Sequence, residues 1–305
     1  MPAVVAPLAV RYFQRLGLDP EQLDAQPTIK KLQMIHEAHL SKIPFENLAQ
    51  HGCSRPAVLD AQQMAIKILD HKRGGLCFEL NGLLAELLIE LGYGVCRLPS
   101  YVCIDPDNVV FQETAMHLLL VVDCQPETDE EFSTWLVDVG FGEAAIHPLR
   151  YNAFDEEQRT PEGMQSKLIR KNDDVYLYWL RSSGEWVPRL KWNYKESLLG
   201  SKGPPISSFA KVHEDIHIPS TIFSQKMIVV LVTRNNKLIL AGNRLKITGP
   251  PRFSDQDPTS IERFLGSEEA VQEILRDSFG IPCEETQGMC LSKSMAADPS
   301  IWASK

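Results

Sequence analysis

Arg73-Gly74-Gly75-Leu76-Cys77-Phe78-Glu79-Leu80-Asn81-Gly82 is the stretch on which the reading of this chain turns. Its adjacent glycines open a sharp turn, and from Leu80 onward Leu83, Leu84, Leu87, Leu88 and Leu91 recur at i+3, i+4, i+7, i+8 and i+11. That spacing predicts a helix with one buried face, with Gly92 as its C-cap. Cys77 then falls in or beside the first helical turn, where unpaired backbone N–H groups and the helix dipole stabilise an anion. A free thiol has a pKa of about 8.5, and a helix N-terminus or an imidazolium neighbour can bring it to roughly 3.5–7.5. The plain alternative is a small buried hydrophobe, which is what most free cysteines are. The remaining cysteines, Cys53, Cys96, Cys103, Cys124, Cys283 and Cys290, lie among apolar or loop residues without such a turn and read as structural.

A cysteine nucleophile needs a base that takes a proton and returns one later, and the base needs a carboxylate to hold its ring. His117 stands near the start of Met116-His117-Leu118-Leu119-Leu120-Val121-Val122-Asp123, a continuous apolar run that reads as a buried strand. Asp138 lies inside Thr134-Trp135-Leu136-Val137-Asp138-Val139-Gly140-Phe141-Gly142, which has the same character, and Gln125 to Ser133 reads as the polar loop between the two. As hairpin neighbours, these strands would bring His117 and Asp138 within side-chain reach on one face, close to the helix of Cys77. A histidine at the rim of an apolar strand also fits an ordinary core position. A carboxylate within an apolar run needs a hydrogen-bonding partner, and an imidazole serves. His36, His39, His51, His71, His147, His213 and His217 occupy helices or loops without a carboxylate-bearing strand beside them and are weaker candidates.

With these residues in view, the chain resembles the arylamine N-acetyltransferase family. The family's Arg-Gly-Gly-aromatic-Cys-x-Glu-x-Asn block stands at Arg73 to Asn81, with Leu76 in place of the usual aromatic residue. Its His before an apolar strand is His117, its Asp-x-Gly-Phe-Gly is Asp138 to Gly142, and its Ile-Pro-Phe-Glu-Asn-Leu is Ile43 to Leu48. The resemblance implies a ping-pong transfer in which Cys77 takes the acyl group of acetyl-CoA and passes it to an aromatic amine or hydrazine. His117 would pair with Cys77 and accept the amine's proton, and Asp138 would hold the ring. It also implies that Phe45 and Phe141 border the acceptor pocket, although both also fit as core phenylalanines, and that Thr114 and Gly142 lie along the pantetheine arm of CoA. Two departures bear on substrate choice. The family's later Ser/Thr-rich block is only loosely echoed by His217 to Phe223, and Glu143 follows Gly-Phe-Gly where basic or small residues are common. The donor is thus acetyl-CoA or a related short acyl-CoA, malonyl-CoA included.

Around these motifs, the 305 residues fall into regions. Residues 1–92 read as helical, with amphipathic stretches at Val10 to Leu18, Lys30 to Ser41 and Ala61 to Asp70 before the helix of Cys77. Residues 93–210 read as β-rich, with strands at Val95 to Ile104, Met116 to Cys124, Thr134 to Val139, Lys167 to Lys171, Val175 to Leu180 and Glu185 to Leu190. Leu199 to Ser208, with its glycines and prolines, reads as a linker. Residues 211–305 follow, with strands at Lys226 to Thr233 and Lys237 to Asn243, a helix capped by Ser267 that closes before Gly280, and a tail from Gln287 whose Trp302 suggests a contact. Together with the resemblance, this is an α+β fold: a helical bundle carrying the nucleophile, a central β-barrel-like domain carrying His and Asp, and a C-terminal α/β lid, around a cysteine-protease-like Cys-His-Asp core.

No nucleotide-binding loop, HExxH, paired Cys-x-x-Cys or repeat is present, so neither a metal nor a nucleotide cofactor beyond the acyl-CoA is expected. A net charge of −9 without a basic cluster argues against nucleic acid, and the apolar run from Pro2 to Val10 is too short for a membrane span or signal peptide. The odd number of cysteines, seven, fits a reducing cytoplasm, and xenobiotic detoxification is the role that such an enzyme would serve there. The same Cys, His, Asp order also serves cysteine hydrolases of the protease or transglutaminase-like kind, and a dead scaffold could keep the fold. Excluding water from the acyl-enzyme separates transfer from hydrolysis.

Overall fold

The computed structural model describes residues 6–53, 58–126, 133–198, 203–218, 221–249 and 260–291. Helices α1 (Leu8–Leu16), α2 (Ile29–Lys42), α3 (Ala61–Ala65, continued by a π-turn over Ile66–Asp70) and α4 (Cys77–Glu90) enclose one apolar core with Phe13, Ile35, Met64 and Leu84 at its centre. Their ends are set by local chemistry. Thr28 caps α2 through the Lys31 amide at 3.5 Å, and Asp60 caps α3 through the Gln62 and Gln63 amides at 3.0 and 3.1 Å. At the far end of α4, Leu91 rather than Gly92 is the cap; Gly92 follows it in the left-handed region, φ 87°, where the chain turns back. The first 92 residues are not wholly helical, because Phe45–Glu46 forms a short strand, β1, between α2 and α3.

Strands β2 (Gly94–Asp105), β3 (Val110–Phe111), β4 (His117–Cys124), β5 (Ser133–Val137), β6 (Leu149–Arg150), β7 (Glu157–Arg159), β8 (Gln165–Lys171), β9 (Asp174–Leu180) and β10 (Trp186–Asn193) build a nine-stranded sheet. Its order is β6-β5-β4-β2-β10-β9-β8-β7, with β3 beside β2. Alternate residues such as Leu98, Leu119, Leu136, Leu168, Leu177 and Trp192 share one core, so the sheet wraps around its own apolar face. Gln158 of β7 ties the two ends of the path, exchanging hydrogen bonds of 2.7 and 2.9 Å with the main chain of Arg150 in β6. The result is a nearly closed, barrel-like sheet, the central element that the sequence predicted.

After α5 (Tyr194–Ser197), α6 (Ala210–Ile216) and α7 (Ile222–Gln225) come β11 (Ile228–Val232), β12 (Lys237–Ala241), β13 (Arg244–Thr248), β14 (Ser260–Phe264) and α8 (Glu268–Phe279). The second sheet runs β1-β11-β12-β13-β14, all antiparallel, so its first edge strand is borrowed from the N-terminal region through the pair Phe45↔Val230. Helix α8 starts on the Ser267 cap as expected and closes on Gly280. The segment read as a linker is partly a packed connection. Ile206 and Phe209 are buried in the first core, and residues 199–202 lie outside the described residues. Of the tail, Met289 and Leu291 are buried in the core of the second sheet, and Trp302 lies outside the described residues. No described helix is long and apolar enough to cross a membrane.

Candidate active site

The turn before Cys77 is held from behind by the Ile43–Leu48 block. Arg73 Nε and Nη2 donate to Glu46 Oε1 and Oε2 at 3.1 Å each, and the Gly74 and Leu48 amides donate to the same carboxylate at 3.2 and 2.6 Å. Burial alone would raise the Glu46 pKa, but the Arg73 and Lys67 charges and these hydrogen bonds outweigh it and hold the carboxyl at about 2. The two strands of chain come so close that a Cβ on residue 74 would lie 1.8 Å from the Pro44 carbonyl oxygen, which only glycine avoids. One turn into α4, Glu79 accepts the Leu76 amide at 3.1 Å, the carboxylate half of a capping box, and pairs with Lys67 Nζ at 2.8 Å. The helix therefore begins at Cys77, 7% exposed, as the sequence predicted.

His117 begins β4 and Asp138 follows the last residue of β5. The ladder between those strands ends at Leu120↔Val137, so the two functional groups meet diagonally beyond it. His117 Nε2 lies 2.9 Å from Asp138 Oδ2, and the ring also hydrogen-bonds the Cys77 side chain. Burial pulls the ring, 2% exposed, toward the neutral form; the Asp138 charge and hydrogen bond, then the Cys77 contact, overcome this and raise its pKa to about 10. Asp138 moves the other way. Burial would raise its pKa, but the His117 charge and hydrogen bonds from His117, Asn81 and the Gly140 amide hold it below the usual carboxylate range.

Asn81 makes this geometry possible. Its amide donates to Leu118 O (2.6 Å) and Asp138 Oδ1 (2.9 Å) while its oxygen accepts the Val139 N–H (2.9 Å), so one side chain on α4 registers both strands. The turn after Asp138 packs directly on Cys77: a Cβ on residue 140 would sit 2.7 Å from Cys77 Cα. His36 of α2 joins the two ends of the following loop, with Nδ1 2.9 Å from Ile146 O and Nε2 3.1 Å from Asp138 O. The sequence alone assigns Asn81 no role and leaves His36 a weaker candidate. The shared period of Cys77 and Asn81, i and i+4 on one helical face, was the available signal for the former; His36 shows none in sequence.

Of the other predicted residues, Phe141 touches this centre. Phe141 is half-buried and meets the His117 ring edge-on, with centroids 5.1 Å apart. Phe45 is half-buried in β1, 5.9 Å from the Phe223 ring, and lines the space beside Gly142. Thr114 is exposed at a bend ahead of β4. All seven cysteines are free thiols. Burial pushes Cys53 up to about 11 and Cys124 up to about 12, the reverse of what a nucleophile needs, whereas Cys283 and Cys290 are exposed.

A sulfur at a helix N-terminus, beside an imidazole held by a partly buried carboxylate, suits acyl chemistry passing through a cysteine. A family model described as N-acetyltransferase matches residues 28–287, and the chain belongs to that family. Among its relatives, the mouse arylamine N-acetyltransferase 2 is 28% identical over 287 residues, covering 90% of this chain and 93% of that protein. An arylamine N-acetyltransferase / N-hydroxyarylamine O-acetyltransferase of Salmonella typhimurium is 38% identical over 176 residues, 57% of each chain. The solved Mycobacterium smegmatis arylamine N-acetyltransferase superposes with a TM-score of 0.78 at 27% identity, covering 96% of this chain and 98% of that one. The Mycobacterium marinum arylamine N-acetyltransferase in complex with CoA gives 0.75 at 26% identity over 93% and 96%.

Proposed function

We propose that this chain transfers an acetyl or related short acyl group from acyl-CoA to an aromatic amine or hydrazine by a ping-pong mechanism. The observation that carries the reading is the His117 ring, raised to about 10 and placed between Asp138 and the Cys77 sulfur. A protonated imidazole in contact with a thiol is the setting in which cysteine nucleophiles react as thiolates. Cys77 attacks the thioester carbonyl, the bond from that carbon to the CoA sulfur breaks, and CoA leaves as the thiol with a proton from His117. The amine nitrogen then attacks the acyl-Cys77 carbonyl while His117 takes the nitrogen's proton, and breaking the bond to Cys77 restores the ion pair. Asp138 keeps the ring oriented and offsets its charge in both halves.

In this reading Phe45 and Phe141 border the acceptor, and Thr114 and Gly142 lie along the CoA arm. The units 1–92, 93–210 and 211–305 act as nucleophile bundle, His-Asp barrel and lid. The burial of Cys77 favours transfer over hydrolysis, because water has little access to the acyl-enzyme. A thiol-dependent step fits a reducing compartment, so in this reading the reaction runs in the cytoplasm with small xenobiotic amines as its acceptors.

The test is to mix the protein separately with acetyl-, propionyl- and malonyl-CoA and to look by mass spectrometry for an acyl adduct on the Cys77 peptide. We expect an adduct that is absent in Cys77→Ala and discharges faster to an added arylamine than to water. No adduct from any donor, or equal rates of discharge, rejects the proposal.

A further inference from the structure

His36 lies on α2 with both ring nitrogens against main-chain carbonyls, Nδ1 2.9 Å from Ile146 O and Nε2 3.1 Å from Asp138 O. The chain between those two carbonyls carries the parts that touch the reacting groups: Gly140, against Cys77 Cα, and Phe141, whose ring meets His117. Asp138 is thus held at two ends by two helices. Asn81 of α4 binds its carboxylate, and His36 of α2 faces its carbonyl. That carbonyl stands one residue past the last ladder pair, Leu120↔Val137, so among the described residues no strand partner fixes it. Packing alone does not fix it either, because a cavity of about 20 Å³, room for roughly one water, opens between His36, Asp138, Ala144, His147 and Trp179.

A neutral imidazole has one N–H and an imidazolium has two, so both contacts are hydrogen bonds only if the ring is charged. Here it is neutral. His36 is 1% exposed, and burial holds its pKa at about 4 against the pull of the Ile146 carbonyl and the Asp138 charge. One nitrogen therefore carries the proton, and which one is set by what faces each. The Asp138 charge favours a proton on this ring and the His147 ring opposes it. Asp138 faces Nε2, whereas His147 directly follows Ile146 at Nδ1, which draws the proton to Nε2. The shorter Nδ1 contact is then a close approach of two acceptors rather than a bond. α2 itself is clamped at this point: Glu37 accepts from Arg234 Nε and Nη2 at 2.9 and 2.6 Å, which ties the helix to the turn between β11 and β12.

Building on the acyl-transfer reading above, we propose that His36 is a positioning residue: it donates from Nε2 to the Asp138 carbonyl and so fixes the direction from which the Asp138 carboxylate meets His117. Asn81 sets where the carboxylate lies, and His36 sets how the main chain behind it is turned. With either released, the side chain pivots about the other. Once the carboxylate turns away, burial outweighs its charge and His117 gives up its proton, which removes the cation beside the Cys77 sulfur.

The experiment compares His36→Leu, His36→Asn and His36→Gln with the wild type. The amide nitrogen of asparagine stands near the place of Nδ1 and that of glutamine near the place of Nε2, so His36→Asn keeps a donor toward Ile146 and His36→Gln keeps one toward Asp138. One readout is the titration midpoint of the His117 ring by NMR of isotope-labelled histidines, its signal assigned by its loss in His117→Gln. The other is the rate at which acetyl-CoA labels Cys77. We expect His36→Leu and His36→Asn to lower the His117 midpoint from about 10 by about 1–3 pH units and to slow labelling about 10- to 100-fold, the scale of a carboxylate lost from an imidazole and of a misplacement of about 1 Å. His36→Gln should recover most of both losses. Equal losses in His36→Asn and His36→Gln overturn the proposal, as does a His117 midpoint that His36→Leu leaves in place. Should His36→Leu fail to fold, the comparison of His36→Asn with His36→Gln decides. If no donor labels Cys77 in the wild type, the acyl-transfer reading fails by itself, and the His117 midpoint, which needs no turnover, still decides on His36.

Discussion

Asp138→Asn removes the charge that holds His117 protonated while keeping the shape of the side chain, and its effect is readable as a slope of stability against pH. The folded ring has its pKa at about 10; in an unfolded chain it is about 6.5. A group raised on folding contributes its full stabilisation below the unfolded value and loses it as pH climbs through the folded one. Between those limits the ring takes up a proton on folding, so the His117–Asp138 pair should lose about 1.4 kcal/mol of its contribution for each pH unit, on the order of 5 kcal/mol over the window. The lowered pKa of Asp138 acts only in acid, where its contribution disappears as pH falls, and so leaves this window untouched. In Asp138→Asn burial dominates, the ring stays neutral and that component of the slope vanishes. Urea unfolding of both in a Cys77→Ala background, where no thiol gives up a proton as the ring takes one, measures it at intervals from pH 7 to 9.5, because the other titrating groups contribute alike and cancel in the difference. Parallel slopes would refute the assignment of the His117 proton to Asp138. The variant should also acylate Cys77 about 10³- to 10⁴-fold more slowly, as orienting carboxylates do elsewhere.

Further outcomes follow from the same geometry. Arg73→Met leaves the Glu46 carboxylate buried without its main partner and should destabilise the fold by about 3–5 kcal/mol, with Glu46→Gln in the same chain restoring much of that loss in denaturant melts. Failure of the second change to compensate would show that the pair is not the unit. Gly140→Ala drives a methyl group to 2.7 Å from Cys77 Cα and should destabilise by about 1–3 kcal/mol while sharply slowing Cys77 acylation; an acylation rate within about twofold of the wild type argues against that contact.

How far the chain could be read in advance depended on whether the signal was local. The leucine period after Cys77, the strand-forming runs of β8 to β10 and the cap at Ser267 are properties of neighbouring residues, and those elements stand within a few residues of expectation. That Cys77, His117 and Asp138 come together was legible because each sits in a motif whose residue types conflict with simple burial, a thiol after two glycines and polar groups at the ends of apolar strands. β1, β6 and β7 were not, since two or three residues carry no period and become strands only by pairing with distant chain.

Motif and period sufficed to determine where the helix of Cys77 begins, that His117 opens an apolar strand and that Asp138 stands at the end of another, because those are consequences of turn chemistry and side-chain spacing along the chain. Only the tertiary structure decided that Glu46 and Arg73 support each other and that Asn81 and His36 hold the Asp138 loop. Those are contacts between residues far apart in sequence, whose energies depend on burial and distance, and neither quantity exists until the chain has packed.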